Sequence, residues 1–152
     1  NEAGWPLMGP RLADARIKPR PQDIAWTHRA FLDLLRIRAS STLLRLRSAT
    51  DIERRLRILG DDAPASTTLV GVQLDGRGYD GANFQTVVLL VNADTKTQTL
   101  RSLALQGQAL GLHPVHQSAQ AADTRARAAR WNAAAATFTV PPRTAVAFVA
   151  RP

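Results

Sequence analysis

The sequence predicts a mainly β protein, an antiparallel β-sandwich of about seven or eight strands preceded by one amphipathic α-helix. Three observations lead to this prediction. The run Thr86–Asn92 is apolar and rich in β-branched residues and ends in a turn-forming cluster, so it should be a strand buried on both faces. Other short strand-like segments follow at regular spacing, which is typical of a sandwich. One long segment, residues 21–38, has helical periodicity instead.

The length of 152 residues suits one domain with a short appendage, which we divide into residues 1–41, an arm and a helix, and residues 42–152, the sandwich. Hydrophobic residues make up 45% of the chain, as in globular proteins, and no apolar run approaches the ~20 residues that cross a bilayer. Without cysteine, the sequence leaves the redox compartment open. Because the chain starts Asn-Glu-Ala-Gly, we expect a piece of a longer polypeptide or a processed product.

The net charge is +8, and arginine supplies 18 of the 20 basic residues. Such a charge permits nucleic-acid binding on electrostatic grounds. However, an arginine bias also follows from a GC-rich coding genome, and aromatic residues make up only 5% of the chain, fewer than base stacking favours. We therefore do not expect a nucleic-acid partner.

Residues 1–21 contain four prolines, which predict an extended arm lying over a neighbour, with a helical turn only at residues 11–15. Residues 21–38 then predict the clearest helix, because Pro21 suits the first helical position and Asp23 the positive end of the helix dipole. Its apolar residues form a wide face that must dock on something large. They are Ile24, Ala30, Phe31, Leu34, Leu35 and Ile37.

The remaining segments predict mostly strands. Strands are expected at residues 44–47, 56–59, 68–74, 86–92, 99–105 and 109–113, with a hairpin of residues 137–140 and 144–149 around Pro141-Pro142-Arg143. A short helix should start near residue 48, because Thr50 and Glu53 have capping-box spacing. Residues 119–136 fit either a helix or, at 125–131, a weak edge strand. The predicted core consists of Val87, Leu89, Val91, Phe138, Val146 and Phe148.

Polar residue types that occur in catalytic or metal sites are found at three places in the sequence. Asp61 and Asp62 adjoin each other in a loop with no apolar pocket to separate their pKa values, so a solvated turn is expected. His113 and His116 flank a proline and have no evident third metal ligand, which predicts a strand end and a turn. The loop of residues 75–80 lacks the acidic spacing and terminal glutamate of a calcium loop.

Three tryptophans could stack on sugar rings. Trp26 is expected to pack within the helix region, whereas Trp5 and Trp131 are the candidates for carbohydrate contact. Trp5 is the stronger of these two, and Trp131 should lie at an edge of the sandwich. No catalytic arrangement of serine, histidine and acid can be proposed from spacing.

In order and spacing, these motifs resemble the C-terminal region of bacterial pullulanase-type α-1,6-glucosidases, starch-debranching members of the α-amylase clan. The resemblance covers nearly the whole chain. It is carried by the helix end at residues 30–41, the strands at 56–59, 69–75 and 87–93, and the final segments 138–141 and 144–149.

The resemblance implies that residues 21–38 are the last helix of a (β/α)₈ barrel missing from this chain and that the sandwich is an accessory, stabilising domain. The family hydrolyses α-1,6 linkages in pullulan, starch or glycogen-derived dextrins with retention, through carboxylates upstream of this region. We therefore assign no catalytic residue, metal site or cofactor here, although calcium is a candidate ligand of the parent enzyme. The expected partner is the barrel, with α-glucan as a further candidate, in a secreted or periplasmic location.

Two alternatives stay open from sequence. A free-standing carbohydrate-binding module would present a row of aromatic residues on one sandwich face, and the chain has few aromatic residues to supply one. A basic nucleic-acid-binding domain would bind oligonucleotides with a steep dependence on salt.

Overall fold

The computed structural model describes residues 1–60 and 68–151. Within them the α-helices are α1 (Trp5–Ala13), α2 (Pro21–Ala39), α3 (Ala49–Arg55) and α4 (Pro114–Gln117). The strands are β1 (Leu56–Leu59), β2 (Leu69–Asp75), β3 (Thr86–Asn92), β4 (Gln98–Arg101), β5 (Gly111–Leu112), β6 (Arg130–Asn132), β7 (Thr137–Val140) and β8 (Thr144–Ala150). Short 3₁₀ helices occupy Glu2–Gly4, Thr42–Arg45, Leu103–Leu105 and Thr124–Ala128.

The strands form two antiparallel sheets, which confirms the predicted sandwich with a leading helix. The large sheet has the order β1-β2-β3-β8-β5, and the small sheet has the order β4-β7-β6. β3 begins and ends where the sequence predicts and lies at the centre of the large sheet, between β2 and β8. Its lack of charge follows from that position, since a central strand has no solvent-exposed edge.

The main core lies between the sheets. Val88 and Leu90 of β3 meet Phe138 of β7, and all three are fully buried. Phe138 contacts Phe148 of β8 at a centroid distance of 5.2 Å. Phe138, Val146 and Phe148 therefore lie in the main core as predicted. The three β3 residues predicted for the core lie instead on the other face of the strand, opposite Val88 and Leu90.

Val87, Leu89 and Val91 point to the outer face of the large sheet, because side chains alternate along a strand. Val87 is buried there in a second cluster with Leu43 and Val149, and Leu89 is half-buried. Val91 is 51% exposed, so its assignment to the core is wrong. A continuously apolar strand does not reveal which face meets the other sheet, since both faces are hydrophobic.

The predicted hairpin of the last two strands is also wrong. β7 pairs with β4 and β6 in the small sheet, whereas β8 pairs with β3 and β5 in the large sheet. The two strands are neighbours in sequence, but the chain crosses from one sheet to the other between them. β3 and β4 are likewise separated by a crossover.

Asn92, at the end of β3, forms hydrogen bonds to both chain segments that cross between the sheets, the one from β3 to β4 and the one from β7 to β8. The two hydrogens of its buried amide nitrogen are shared among the carbonyl oxygens of Lys96 at 2.9 Å, Val140 at 3.1 Å and Pro141 at 2.9 Å. Its side-chain oxygen accepts from the Asp94 amide at 2.9 Å. The bonds to Val140 and Pro141 are buried, so the amide supplies donors that these two carbonyls would otherwise lack.

The N-terminal arm is more helical than predicted. α1 runs from Trp5 to Ala13 and contains Pro6 and Pro10. Pro6 lies in the first turn, where an amide hydrogen has no intrahelical partner, so it fits a helix start. The extended arm with a turn at residues 11–15 is therefore incorrect. None of the residues of α1 is buried.

The helix α2 confirms the prediction for residues 21–38, with Pro21 first and Asp23 accepting from the Arg20 amide at 3.0 Å. The strand predicted at residues 44–47 is wrong. Ser41 caps the 3₁₀ helix Thr42–Arg45 by accepting from the Leu43 amide, and the buried Leu43 packs on the outer face of the large sheet. α3 is present, but its cap is Ser48 rather than Thr50.

The boundaries of several other elements differ by a few residues from those predicted. The segment 99–105 divides into β4 and the 3₁₀ helix Leu103–Leu105, and the strand expected at 109–113 is reduced to β5. Residues 119–136 contain a 3₁₀ helix and β6, which lies at the edge of the small sheet and agrees with the edge-strand alternative. Among the described helices, none combines the length and hydropathy needed to cross a membrane.

Candidate interaction surface

One side of α2 is fastened to the sandwich through the backbone of Ala122. The Asp33 carboxylate accepts from the Ala122 amide at 2.8 Å, and the Trp26 indole donates to the Ala122 carbonyl at 3.0 Å. Asp33 is buried, and its second oxygen accepts from Arg36 at 2.7 Å. Both backbone groups of Ala122 are therefore bonded by side chains of α2.

Charge reinforces this contact. Arg125 forms a two-pronged ion pair with Asp123, at 2.8 and 2.7 Å, and its guanidinium lies 5.5 Å from the centre of the Trp26 ring. Burial raises the pKa of Asp123, but the hydrogen bonds from the Arg125 side chain and amide outweigh it and leave that pKa below its usual value.

The C-terminal end of α2 has its own attachments. Ile37 is buried, and the Ser40 hydroxyl lies 2.9 Å from Nε2 of His113. The Asn83 amide donates to the Ser40 carbonyl at 2.8 Å, which satisfies a carbonyl near the helix end. Trp26, Asp33 and Ile37 thus form what we call the inner side of α2.

The opposite side of α2 is apolar and uncovered within the described chain. Ile24 and Phe31 are each 58% exposed and Leu35 is 42% exposed. Their spacing of seven and four residues places them together, roughly opposite the inner side. We call these three residues the outer side of α2. Leu34 lies between the two sides and is also exposed.

Two further apolar areas are exposed. α1 presents Trp5, Leu7 and Leu12 without burying any of them. On the outer face of the large sheet, Val70 and Val91 are directly paired across β2 and β3, and both are more than half exposed. Contiguous exposed apolar area of this kind is typical of surfaces that bind another protein or domain.

The two tryptophans predicted to contact carbohydrate have different surroundings. Trp5 is 63% exposed on α1. Trp131 is half-buried against the main core, with its ring centre 4.2 Å from that of Phe138, and its indole donates to the Gln108 carbonyl at 2.8 Å. They are not brought together, because one lies on the N-terminal helix and the other at the edge of the small sheet.

The remaining candidates are two pairs of residues and one loop, and only some of them lie in the part of the chain that the structure describes. Asp61 and Asp62 lie outside the described residues. Asp75 pairs with Arg77 at 3.1 Å, so the loop that follows carries its own counter-ion. Among residues 1–60 and 68–151, no group of three or more histidine, aspartate or glutamate side chains could hold a metal ion.

The contacts that Asp33 and the two histidines make at α2 are not predicted from the sequence. A signal was present for Asp33, since a carboxylate among Ala30, Leu34 and Ile37 interrupts an apolar face. A charge at such a position is expected to have a buried partner. For the histidines no local signal existed, because their partners are distant in sequence.

Known proteins resemble this chain over nearly its full length. Residues 1–151 match the family model described as alpha-1,6-glucosidases, pullulanase-type, C-terminal. Pullulanase 1, chloroplastic, of Arabidopsis thaliana is 35% identical over 156 residues, a match that covers 98% of this chain and 16% of that protein. The chain thus spans about a sixth of this curated relative's length.

Solved structures agree in fold. An apo pullulanase from Klebsiella pneumoniae matches with a TM-score of 0.75 and 19% identity, over 88% of this chain and 14% of that chain. The maltotriose complex of Klebsiella pneumoniae pullulanase gives a TM-score of 0.74 at 19% identity, over 88% of this chain and 13% of that one. With the family match over nearly its full length, the chain belongs to the C-terminal family of pullulanase-type α-1,6-glucosidases.

Proposed function

We propose that this chain is the non-catalytic, C-terminal accessory domain of a debranching enzyme that hydrolyses α-1,6-glucosidic linkages in pullulan, starch or glycogen-derived dextrins. Its role is to cover and stabilise the catalytic (β/α)₈ barrel, with residues 1–41 as the part that joins the barrel and residues 42–152 as the sandwich. No residue of this chain is assigned to the hydrolysis. A secreted or periplasmic location belongs to the same proposal.

The observation that carries the proposal is the two-sided helix α2. Its inner side is hydrogen-bonded to the sandwich, while Ile24, Phe31 and Leu35 of the outer side have no cover. Burying a side chain of this size stabilises a contact by about 1.5–3 kcal/mol. The similar pullulanases are much longer chains, so they contain a further region that can lie against this side.

Replacing Phe31 with glutamate should weaken this docking without unfolding the chain. The test uses a chimaera in which this chain replaces the matching segment of the chloroplastic pullulanase. Loss of about 1.5–3 kcal/mol of contact energy corresponds to a ten- to hundredfold weaker association. We expect the pullulan-hydrolysing activity of the variant chimaera to have a shorter half-life at raised temperature. The melting temperature of the isolated variant chain should stay at the wild-type value, because Phe31 is already exposed in the isolated chain.

Leu103→Glu provides the matched control, since Leu103 is a comparably exposed apolar residue that follows β4 of the small sheet. That variant should keep the half-life of the unmodified chimaera. Equal half-lives for the Phe31 variant and the unmodified chimaera would contradict docking through the outer side of α2.

Contact with α-glucan at Trp5 is a second candidate function, favoured by the 63% exposure of this indole. Trp131 is the weaker candidate, because one face of its ring packs on Phe138. A free-standing carbohydrate-binding module with a row of aromatic platforms is less well supported, since Phe138 and Phe148 are buried in the core.

Trp5→Ala is expected to lower the affinity of the chain for maltotriose by about tenfold, or about 1.4 kcal/mol, through loss of a stacking surface. Isothermal titration calorimetry measures this affinity. Val91→Ala serves as the control and should bind with the wild-type affinity, since Val91 is an exposed apolar residue without an aromatic ring to stack on a sugar. Absence of maltotriose binding by the wild-type chain, or equal affinity of the Trp5 variant, would rule out this second function.

A further inference from the structure

His113 and His116 lie at the junction of α2, α4 and the large sheet, and both are buried. The Nδ1 atom of His113 accepts from the Val115 amide at 3.2 Å, which caps the start of α4. The Nε2 atom of His116 accepts from the Ala147 amide of β8 at 3.1 Å. Each imidazole therefore uses a ring nitrogen that must be free of a proton.

The bond to Ala147 replaces a missing strand partner. β5 pairs with β8 only at Gly111 and Leu112, and the His113 amide continues that ladder by donating to the Ala147 carbonyl at 2.9 Å. Pro114 follows and has no amide hydrogen, and the chain turns into α4. The imidazole of His116 then satisfies the amide of β8 that the shortened strand leaves open.

The bond between His113 and α2 also has a defined direction. The Ser40 hydroxyl donates its single hydrogen to the Ile37 carbonyl at 2.7 Å, so it can only accept at Nε2 of His113. His113 is thus the neutral tautomer with its hydrogen on Nε2. This hydrogen bond attaches the end of α2 to the segment that also contains Ala122.

We propose that His113 and His116 form an acid-sensitive clasp that holds α2 on the sandwich near neutral pH and releases it in mild acid. A proton added to Nδ1 of His113 or Nε2 of His116 points at a backbone amide hydrogen and breaks the bond that this nitrogen accepts. The segment from α4 to Ala122 then loses the His116 bond to β8, which frees Ala122 to leave Asp33 and Trp26 of α2.

The groups around the clasp determine the direction of its pH response. Burial, together with a smaller repulsion from the neighbouring His116, lowers the pKa of His113 to about 4. Burial also lowers the pKa of His116, although the carboxylates of Asp123 and Asp33 oppose that shift. The ring of Phe84, whose centroid lies 5.4 Å from that of His113, adds no charge.

A histidine with a depressed pKa in the folded state binds fewer protons than in the released state. Stability from this source is therefore complete above the ordinary pKa of 6.5 and is lost as the pH falls from 6.5 towards 4. Within that window the equilibrium constant for release should rise by up to about tenfold per pH unit for each histidine.

The test follows the Trp26 indole signal in ¹⁵N-correlated NMR spectra of the whole chain between pH 7.5 and 4. This N–H donates to Ala122 only while α2 is docked. We expect it to shift to a released position below pH 6.5, while amide signals of β3 stay native. A Trp26 signal that keeps its docked position down to pH 4, or loss of the β3 signals in the same step, would overturn the proposal.

Variants identify the responsible groups. His113→Asn and His116→Gln each keep a side-chain oxygen that can accept the backbone amide but cannot titrate, so their combination should abolish the transition. His28→Gln, on the exposed surface of α2, should leave it unchanged. An unaltered transition in the double variant would contradict the proposal. If the double variant does not fold, the imidazole signals of the wild-type chain decide, because titration of both histidines at or above pH 6.5 would also contradict it.

Discussion

Replacing Asn92 with aspartate is expected to lower the free energy of unfolding by about 3–5 kcal/mol, the usual cost of leaving a buried charge without a partner. The wild-type amide nitrogen faces the carbonyl oxygens of Lys96, Val140 and Pro141. A carboxylate would place negative charge against these acceptors, where no hydrogen remains to be donated. Since single domains are stable by about 5–15 kcal/mol, this substitution removes a large fraction of the total.

Urea unfolding followed by circular dichroism measures this effect, and Asn132→Asp is the matched control. Asn132 is exposed and uses its side-chain oxygen to accept from the Ala135 amide at 3.0 Å, a role that aspartate retains. We expect its stability to change by less than about 0.5 kcal/mol. A similar loss in the free energy of unfolding for both variants would show that the amide hydrogens of Asn92 do not stabilise the segments that cross between the sheets.

Leu90→Asp is expected to prevent folding at 25 °C, whereas Val91→Asp should leave the isolated chain folded. Leu90 is fully buried between the sheets, while the neighbouring Val91 is 51% exposed on the outer face. An aspartate at position 90 would place an unpaired charge in the main core, at a cost of several kcal/mol. At position 91 the same carboxylate can stay hydrated, so the expected loss is about 1 kcal/mol or less.

The variants Leu90→Asp and Val91→Asp introduce the same side chain on opposite faces of β3, so they compare the burial of the two faces. Thermal unfolding of the two purified chains is the measurement. Leu89→Asp should give an intermediate loss, because Leu89 is half-buried on the outer face and not in the main core as the sequence predicted. Equal melting temperatures for the variants at positions 90 and 91 would contradict the observation that Leu90 faces the main core and Val91 the outer face.

The local pattern of the sequence was enough to predict the class of fold, the helix α2 and the central strand β3. These elements have strong local causes. Pro21 and Asp23 start a helix, and a run of β-branched residues ended by Asn92 favours one buried strand. The helical spacing of Ile24 and Phe31 also predicts that they share one apolar face, and both side chains are exposed in the structure.

Only the tertiary structure decided which strands pair and which face of each element is buried. β7 and β8 are adjacent and separated by a turn, as in a hairpin, yet they join different sheets. The bonds of Asn92 to the carbonyls at this crossover join residues 48 and 49 positions apart in sequence. The partners of Asp33 and His116 are likewise distant, at Ala122 and Ala147. Periodicity shows only which side chains share a face of one helix or strand. The hydrogen bonds of Asn92, Asp33 and His116 form between segments that are distant in sequence and that burial of the core brings together.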